Sequence, residues 1–315
     1  MDLSNKNLNR RQCLTLLAGT AAAMQMPGFC WSEEDRKILR MAVSTEALAG
    51  ANINDAQVAY QTLINEYSRQ AGTVTAETGH QVFIPSEEVI SGVRQGTIDC
   101  FGITALEYAK VLDYIDPDLL VVSDYLADGM EYVLLVHNSS PFKKIADLKG
   151  AQIVSHLHRD MVLLPAWLDT MLAAANLPLA ERFFGSNTRH DKVNQVVLPV
   201  FFRRVDGACL ARRSWETTVE LNPQLGRDLR PLAVSPRIVP IVICFRRNCN
   251  PDGRKMLLGS MLRLTSTASG QQMAALWQTR GFVTRPTSIM KSSLEMVHQF
   301  EHITAQSARS RKGPS

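Results

Sequence analysis

From Lys37 onward the sequence alternates short apolar runs with longer amphipathic stretches, separated by Gly, Pro, Asn and Ser. This order constrains the fold strongly. Two parallel strands need a crossover between them, and the usual crossover is a helix, so a repeated strand–helix–strand pattern points to an α/β architecture. "KILRMAVS" (residues 37–44) reads as a buried strand. "NDAQVAYQTLINEYSRQAG" reads as a helix with Asn54 as its N-cap and Gly72 as its stop. "HQVFIP" is a second strand. "SEEVISGVRQG" is a helix capped by Ser86 that turns Val89, Ile90 and Val93 inward. "TIDCFGI" is a third strand, and Thr104 with Glu107 forms a capping box that opens the next helix.

The pattern then starts afresh. "DGMEYVLLVHNSS" and "GAQIVS" are strands, with a helical turn between them at "IADLKG". "PAWLDTMLAAANLP" is a helix, and "ERFFGSNTRHDKVNQVV" reads as strand, loop and helix. "VDGACLA" and "PIVICF" are strands, and "RRSWETTVELNPQLG" opens as a helix. Two amphipathic helices follow, "DGRKMLLGSMLRLT" and "GQQMAALWQTRGF", then a basic tail from residue 305 expected to be flexible. In such sheets ligands collect at the carboxyl ends of parallel strands, beside helix N-termini. The residues just past each strand are therefore the candidates. In the first unit they are Ser44, Thr45, Glu46, Ser86, Glu87 and Thr104. In the second they are Ser155, His156, His158, Ser186 to His190, and Arg212 to Ser214.

With 45% hydrophobic and 20% charged residues, the chain is globular. Its net charge of +4 is spread along the sequence, so no nucleic-acid partner is expected. The N-terminal "NKNLNRRQCLTLLAGTAAAMQMPGFCWSEE" has a basic start, an apolar run rich in small residues and a polar end, which is an export signal over residues 1–32. Arg10-Arg11 resembles a twin-arginine signal, although Asn9 and Cys13 depart from that pattern; a general secretory signal is the alternative. No other run is apolar and long enough to insert stably in a membrane, so the expected location is the periplasm. There Cys244 and Cys249 either bridge across "CFRRNC" or stay free. No Cys-x-x-Cys, Gly-x-Ser-x-Gly or His-Glu-x-x-His occurs, and no metal, cofactor or catalytic group is expected.

Two histidines stand in "SHLHRD" (residues 155–160). His156 and His158, with Asp160 or His190, have the chemistry of metal ligands, but histidines in such a loop more often bond backbone carbonyls or face water. With Arg159, Arg212 and Arg213 the same region has the donors for an anion, because a guanidinium offers paired N–H groups to an oxyanion. Glu46, Glu87 and Glu88 would instead suit an amine on the ligand.

Five blocks carry a resemblance: "EEVISGVRQGTIDCFGITALEYAKV", "EYVLLVHNSSPFKKIADLKGAQIV", "LLPAWLDTMLAAANL", "FFGSNTRHDKVNQVVLPVFFRRVDGACLA" and "LNPQLGRDLRPLAVSP". In this order and spacing the chain resembles the periplasmic substrate-binding proteins of phosphate, phosphite and phosphonate ABC transporters. The resemblance implies a type II binding-protein fold: lobe I over 36–128 and 243–298, lobe II over 129–242, a two-segment hinge, and a ligand cleft between the lobes. It implies capture of a small anionic solute by lobe closure and docking on a membrane permease. A sensing subunit for a membrane receptor or kinase shares the same fold, and some proteins of this fold act as enzymes. The family's Ser-Thr-Ser-Gly oxyanion turn falls here on His158-Arg159-Asp160-Met161, so the hydroxyls are gone. The family's Ser-His-Asp histidine falls on His190, and its Gly-Pro-x-x-Tyr becomes "GITALEY", which displaces Tyr108. The expected ligand-binding residues are Ser44, Thr45, Glu46, Ser86, Thr104, His156, His158, Arg159, His190 and Arg212.

Overall fold

The computed structural model of the chain describes residues 39–48, 52–71 and 82–312. Its strands, in chain order, are β1 (Met41–Ser44), β2 (Phe83–Ile84), β3 (Cys100–Thr104), β4 (Leu120–Ser123), β5 (Tyr132–His137), β6 (Gln152–His156), β7 (Ser186–His190), β8 (Gly207–Ala211), β9 (Leu229–Val234), β10 (Ile241–Phe245) and β11 (Phe282–Arg285). Its helices are α1 (Ile53–Ala71), α2 (Ser86–Gln95), α3 (Ala105–Tyr108), α4 (Leu164–Ala174), α5 (Ala180–Phe183), α6 (Val193–Phe201), α7 (Arg212–Leu221), α8 (Pro223–Asp228), α9 (Pro251–Leu262), α10 (Ala268–Leu276) and α11 (Lys291–Lys312).

The strands form two mixed sheets, ordered β11-β4-β10-β3-β1-β2 and β7-β6-β8-β5-β9. In the first, β1 runs parallel to β2 and β3, and β10 runs antiparallel to both β3 and β4. In the second, β6 runs parallel to β7 and β8, and β5 is antiparallel to β8 and β9. The inner strands of each sheet are buried on both faces, as their near-continuous apolar runs predict. Along β5, Tyr132, Leu134 and Val136 join a core that continues under α4 and α11, whereas Val133 and Leu135 pack against α6, α7 and α8. On the far side of the first sheet, Val43 and Phe83 meet α1 and α10. One core runs across both sheets, because α11 packs against α3 on one side and α4 on the other.

The chain passes between the sheets twice, after β4 and after β9, and the two passages pair with each other. Met130 and Ile238 exchange backbone hydrogen bonds of 2.8 and 2.9 Å. Gly129 adopts φ +72°, a left-handed conformation that most residues avoid, and an added Cβ would lie 3.3 Å from the Ile238 carbonyl oxygen. Ser293 of α11 locks the second passage. Its hydroxyl, fully buried, accepts from the Val239 amide at 2.8 Å and donates to the Val239 carbonyl at 3.0 Å.

Several expectations change. The division after Val242 would cut β10, which lies wholly in the first sheet. Asn52, not Asn54, caps α1: its side chain accepts from the amides of Asn54 at 2.9 Å and Asp55 at 3.4 Å. Ser86 is the first residue of α2 and not its cap. "ERFF" contributes to helix α5, and the strand is the following Ser186–His190. The tail expected to be flexible from residue 305 is helical to Lys312. Cys244 and Cys249 are both free; Cys244 packs in the core shared with α11, and Cys249 packs against Leu257 and Met261 of α9. The export signal lies outside the described residues.

Ser293→Ala is expected to leave a buried amide and carbonyl without partners and to lower the unfolding free energy by about 2 kcal/mol. Urea denaturation measures this directly; an unchanged midpoint would show that α11 does not hold the crossover.

Candidate functional site

The carboxyl ends of β1, β3 and β4 face those of β6, β7 and β8 across the space between the sheets. The two edges offer different chemistry. On the first, Ser44 and Thr104 end their strands with hydroxyls, as a binding edge should. Both hydroxyls are already committed. Ser44 donates to Glu107 Oε1 at 2.5 Å, and the amide and hydroxyl of Thr104 donate to Glu107 Oε2 at 2.7 and 2.8 Å. Ser44, Thr104 and Glu107 are all at least 97% buried. Glu107 closes its expected capping box with Thr104, whose hydroxyl in turn accepts the Glu107 amide. Thr45 and Glu46 form a 3₁₀ turn over this edge, with the Glu46 side chain exposed.

The turn after β6 covers the rest of the first edge. His158 caps it, its Nδ1 accepting the Asp160 amide at 3.2 Å. Arg159, with a side chain only 8% exposed, reaches across to the first sheet. Its guanidinium donates to the Trp277 carbonyl and, at 3.5 Å, to the Tyr125 hydroxyl. It lies 5.7 Å from the centre of the Trp277 ring. Asp160 takes the Tyr125 hydroxyl on Oδ1 at 3.0 Å and lies 3.7 Å from Arg159 Nε. Burial, and then the Asp160 charge, push the Tyr125 hydroxyl up to about 12, so it remains a donor. Beside these groups a gap of only about 20 Å³ remains, lined by Ser123, Ile241, Trp277 and their neighbours.

The second edge is open. A cavity of about 840 Å³ spreads from it, within the size range of small-molecule sites. His156, Asp191 to Asn194 and Ala211 to Ser214 line it from the second sheet; Tyr125 and Gln278 line it from the first; Glu131 and Arg237 line it from the crossovers. The N-terminus of α7 has no side-chain cap. By helix geometry the amides of its first turn lack intrahelical partners and carry the positive end of the helix dipole. That of Arg212 donates instead to the Glu131 carbonyl at 2.8 Å, which leaves those of Arg213 and Ser214 for a ligand. Arg212 does not supply free charge there: its Nε lies 2.7 Å from Glu131 Oε2, and its NH1 is 4.0 Å from Glu216. Arg213 next to it is exposed and lies 4.9 Å over the Tyr125 ring, and Lys192 lines the same cavity.

His156 is 6% exposed. Its Nε2 lies 3.1 Å from the Asp191 carbonyl, so Nε2 carries the proton and Nδ1 presents a lone pair with no partner among the described residues. Burial, chiefly, holds its pKa below the usual value, with the stacked His158 ring 5.4 Å away adding to this. The two rings lie face to face, 11° from parallel, and do not converge on a point as metal ligands would. No group of three or more His, Cys, Asp or Glu suited to a metal occurs among the described residues.

Of the residues expected from sequence to bind ligand, the cavity brings together His156, His158 and Arg212. Ser44, Thr45, Glu46 and Thr104 sit on the sealed edge, and Ser86 lies at the start of α2, off the cavity wall. Arg159 fills the small gap instead of lining the cavity, and His190 gives its carbonyl to the Leu157 amide at 2.8 Å. Lys192, Asp191, Tyr125 and Gln278 were not anticipated. Lys192 and Asp191 follow β7, so the post-strand rule would have found them had "SNTRH" read as a strand.

A family model for periplasmic substrate-binding proteins of phosphonate ABC transporters matches residues 53–286. The chain belongs to this family. The family is one of solute-binding proteins, not enzymes, and membership implies a small-molecule ligand, a membrane permease as partner and work in the periplasm. No helix among the described residues is long and apolar enough to cross a membrane. The fold is similar to a Xanthomonas citri protein solved with ATP (16% identity, 85% of this chain and 98% of that one, TM-score 0.56). It is also similar to PhnD1 of Prochlorococcus marinus in complex with methylphosphonate (16% identity, 84% and 99%, TM-score 0.53). A third similar structure is a binding-protein component of an ABC phosphonate transporter from Pseudomonas aeruginosa (14% identity, 88% and 97%, TM-score 0.50). At these identities the likeness is one of fold alone. No curated protein matches the chain.

The depressed pKa of His156 fixes a sign. Between its folded pKa and the ordinary value near 6.5, the unfolded chain binds the proton and the folded chain does not, so stability falls as pH drops through that window. His156→Gln is expected to flatten this part of the stability–pH curve, measured by urea denaturation from neutral pH down to about 5. An unchanged slope would show that His156 titrates normally.

Proposed function

We propose that this binding protein captures a small anionic solute at the second-sheet edge of the cleft between its two lobes and delivers it to its permease. The observation that carries this reading is the uncapped start of α7, which bears Arg213 and opens on a cavity of about 840 Å³ that Lys192 also lines. The first-turn amides of Arg213 and Ser214, the helix dipole and the cations of Arg213 and Lys192 favour an oxyanion at the start of α7, while Asp160, Asp191 and Glu216 on the same wall restrict where its charge can sit. The paired crossovers at Met130 and Ile238 support the reading of two lobes on a hinge.

The solute is an oxyanion of the phosphonate, phosphate, sulfonate or carboxylate kind. The hydroxyl turn that the family uses for its oxyanion is replaced here by Arg159 and Asp160, so inorganic phosphate at that turn is disfavoured by the Asp160 charge. A thermal-shift screen over methylphosphonate, phosphite, phosphate, alkylsulfonates, dicarboxylates and amino acids tests the reading. A solute at a hundred times its dissociation constant stabilises the folded protein by about 2.7 kcal/mol. Arg213→Ala and Lys192→Ala are each expected to weaken the best solute by about tenfold, the scale of one charge-assisted hydrogen bond. Stabilisation by none of these anions would overturn the proposal.

A further inference from the structure

We infer that Arg159 is a built-in occupant of the first-sheet half of the cleft. It stands in for a solute there and clasps the two sheets together without one. A solute in a two-lobe protein does two things: it satisfies polar groups on one lobe while attached to the other, and it fills the space between them. Arg159 does both. Its backbone belongs to the turn after β6 in the second sheet. Its guanidinium donates to the Trp277 carbonyl and the Tyr125 hydroxyl and packs over the Trp277 ring, and both of these residues flank strands of the first sheet.

The neighbouring groups fit an occupant of this shape and charge. Asp160 supplies the counter-charge at 3.7 Å and also accepts the Tyr125 hydroxyl, while Tyr132 donates to the Asp160 carbonyl at 2.5 Å. A planar guanidinium suits this set because its fork can meet a carbonyl and a hydroxyl at once and its face can lie on an indole. His158 adds a second tie across the cleft, its Nε2 3.3 Å from Gln278 Oε1. The turn itself packs against the Thr45–Leu48 turn of the first sheet. With about 20 Å³ left beside Arg159, there is room there for no more than a water. Solute is thus confined to the second-sheet edge.

Small-angle X-ray scattering of the protein without added solute tests this independently of what the protein binds. Arg159→Ala is expected to show a larger radius of gyration than the wild type. Arg159→Lys, which keeps the charge and stem packing but not the fork, is expected to shift the same way and guards against a misfolded alanine variant. Added methylguanidinium should return Arg159→Ala to the wild-type radius, and methylammonium should not. Variants that scatter as the wild type, or an alanine variant that methylguanidinium does not restore, would overturn the inference. The absence of any solute from the scattering test separates its failure from failure of the anion reading.

Discussion

The Glu107 carboxylate lies almost fully buried at the carboxyl ends of β1 and β3. A carboxylate taken out of water is tolerated only if its oxygens are well supplied with donors. Here Ser44 and Thr104 supply them, through two hydroxyls and one amide. The arrangement fixes β1 against β3 and starts α3. It also consumes the groups that would otherwise make the first sheet a binding edge. The division of labour between the two sheets follows from this one buried charge.

The opposite edge has the reverse economy. The start of α7 is left without a cap, the Arg212 charge is matched by Glu131, and Arg213, Lys192 and Arg237 share the cavity wall with Asp160, Asp191 and Glu216. His156 lines the same cavity, its pKa lowered chiefly by burial, and its Nδ1 has no partner among the described residues. Unsatisfied donors and acceptors are costly in a folded core and are kept where something else completes them. The crossovers, paired at Met130 and Ile238, hold this open edge opposite the sealed one.

Much of the architecture is legible in the sequence because most strands are continuous apolar runs. "YVLLVH" and "GACLA" declare themselves as strands buried on both faces. β7 does not, because it is an edge strand of Ser, Asn, Thr, Arg and His, mostly exposed, with no apolar alternation to read. β9 is hidden by Pro231, which an edge strand tolerates beside its irregular register with β5. The site is legible by halves. The rule that ligands gather past strand ends leads to His156, His158 and Arg212. It leads equally to Ser44 and Thr104, and local sequence does not reveal that one carboxylate would take both hydroxyls. Arg159 could be read as a ligand contact but not as a cross-cleft tie, because its partners, Tyr125 and Trp277, come from distant parts of the chain.

The central claim is that the solute belongs to the second-sheet edge and that the first is closed from within. A crystal structure with the anion giving the largest thermal shift tests it most directly. The expected result is anion oxygens on the Arg213 and Ser214 amides of α7 with the Arg213 or Lys192 side chain in contact, and Ser44 and Thr104 still bonded to Glu107. An anion held by Ser44 and Thr104, with Arg159 swung away from Trp277, would contradict it.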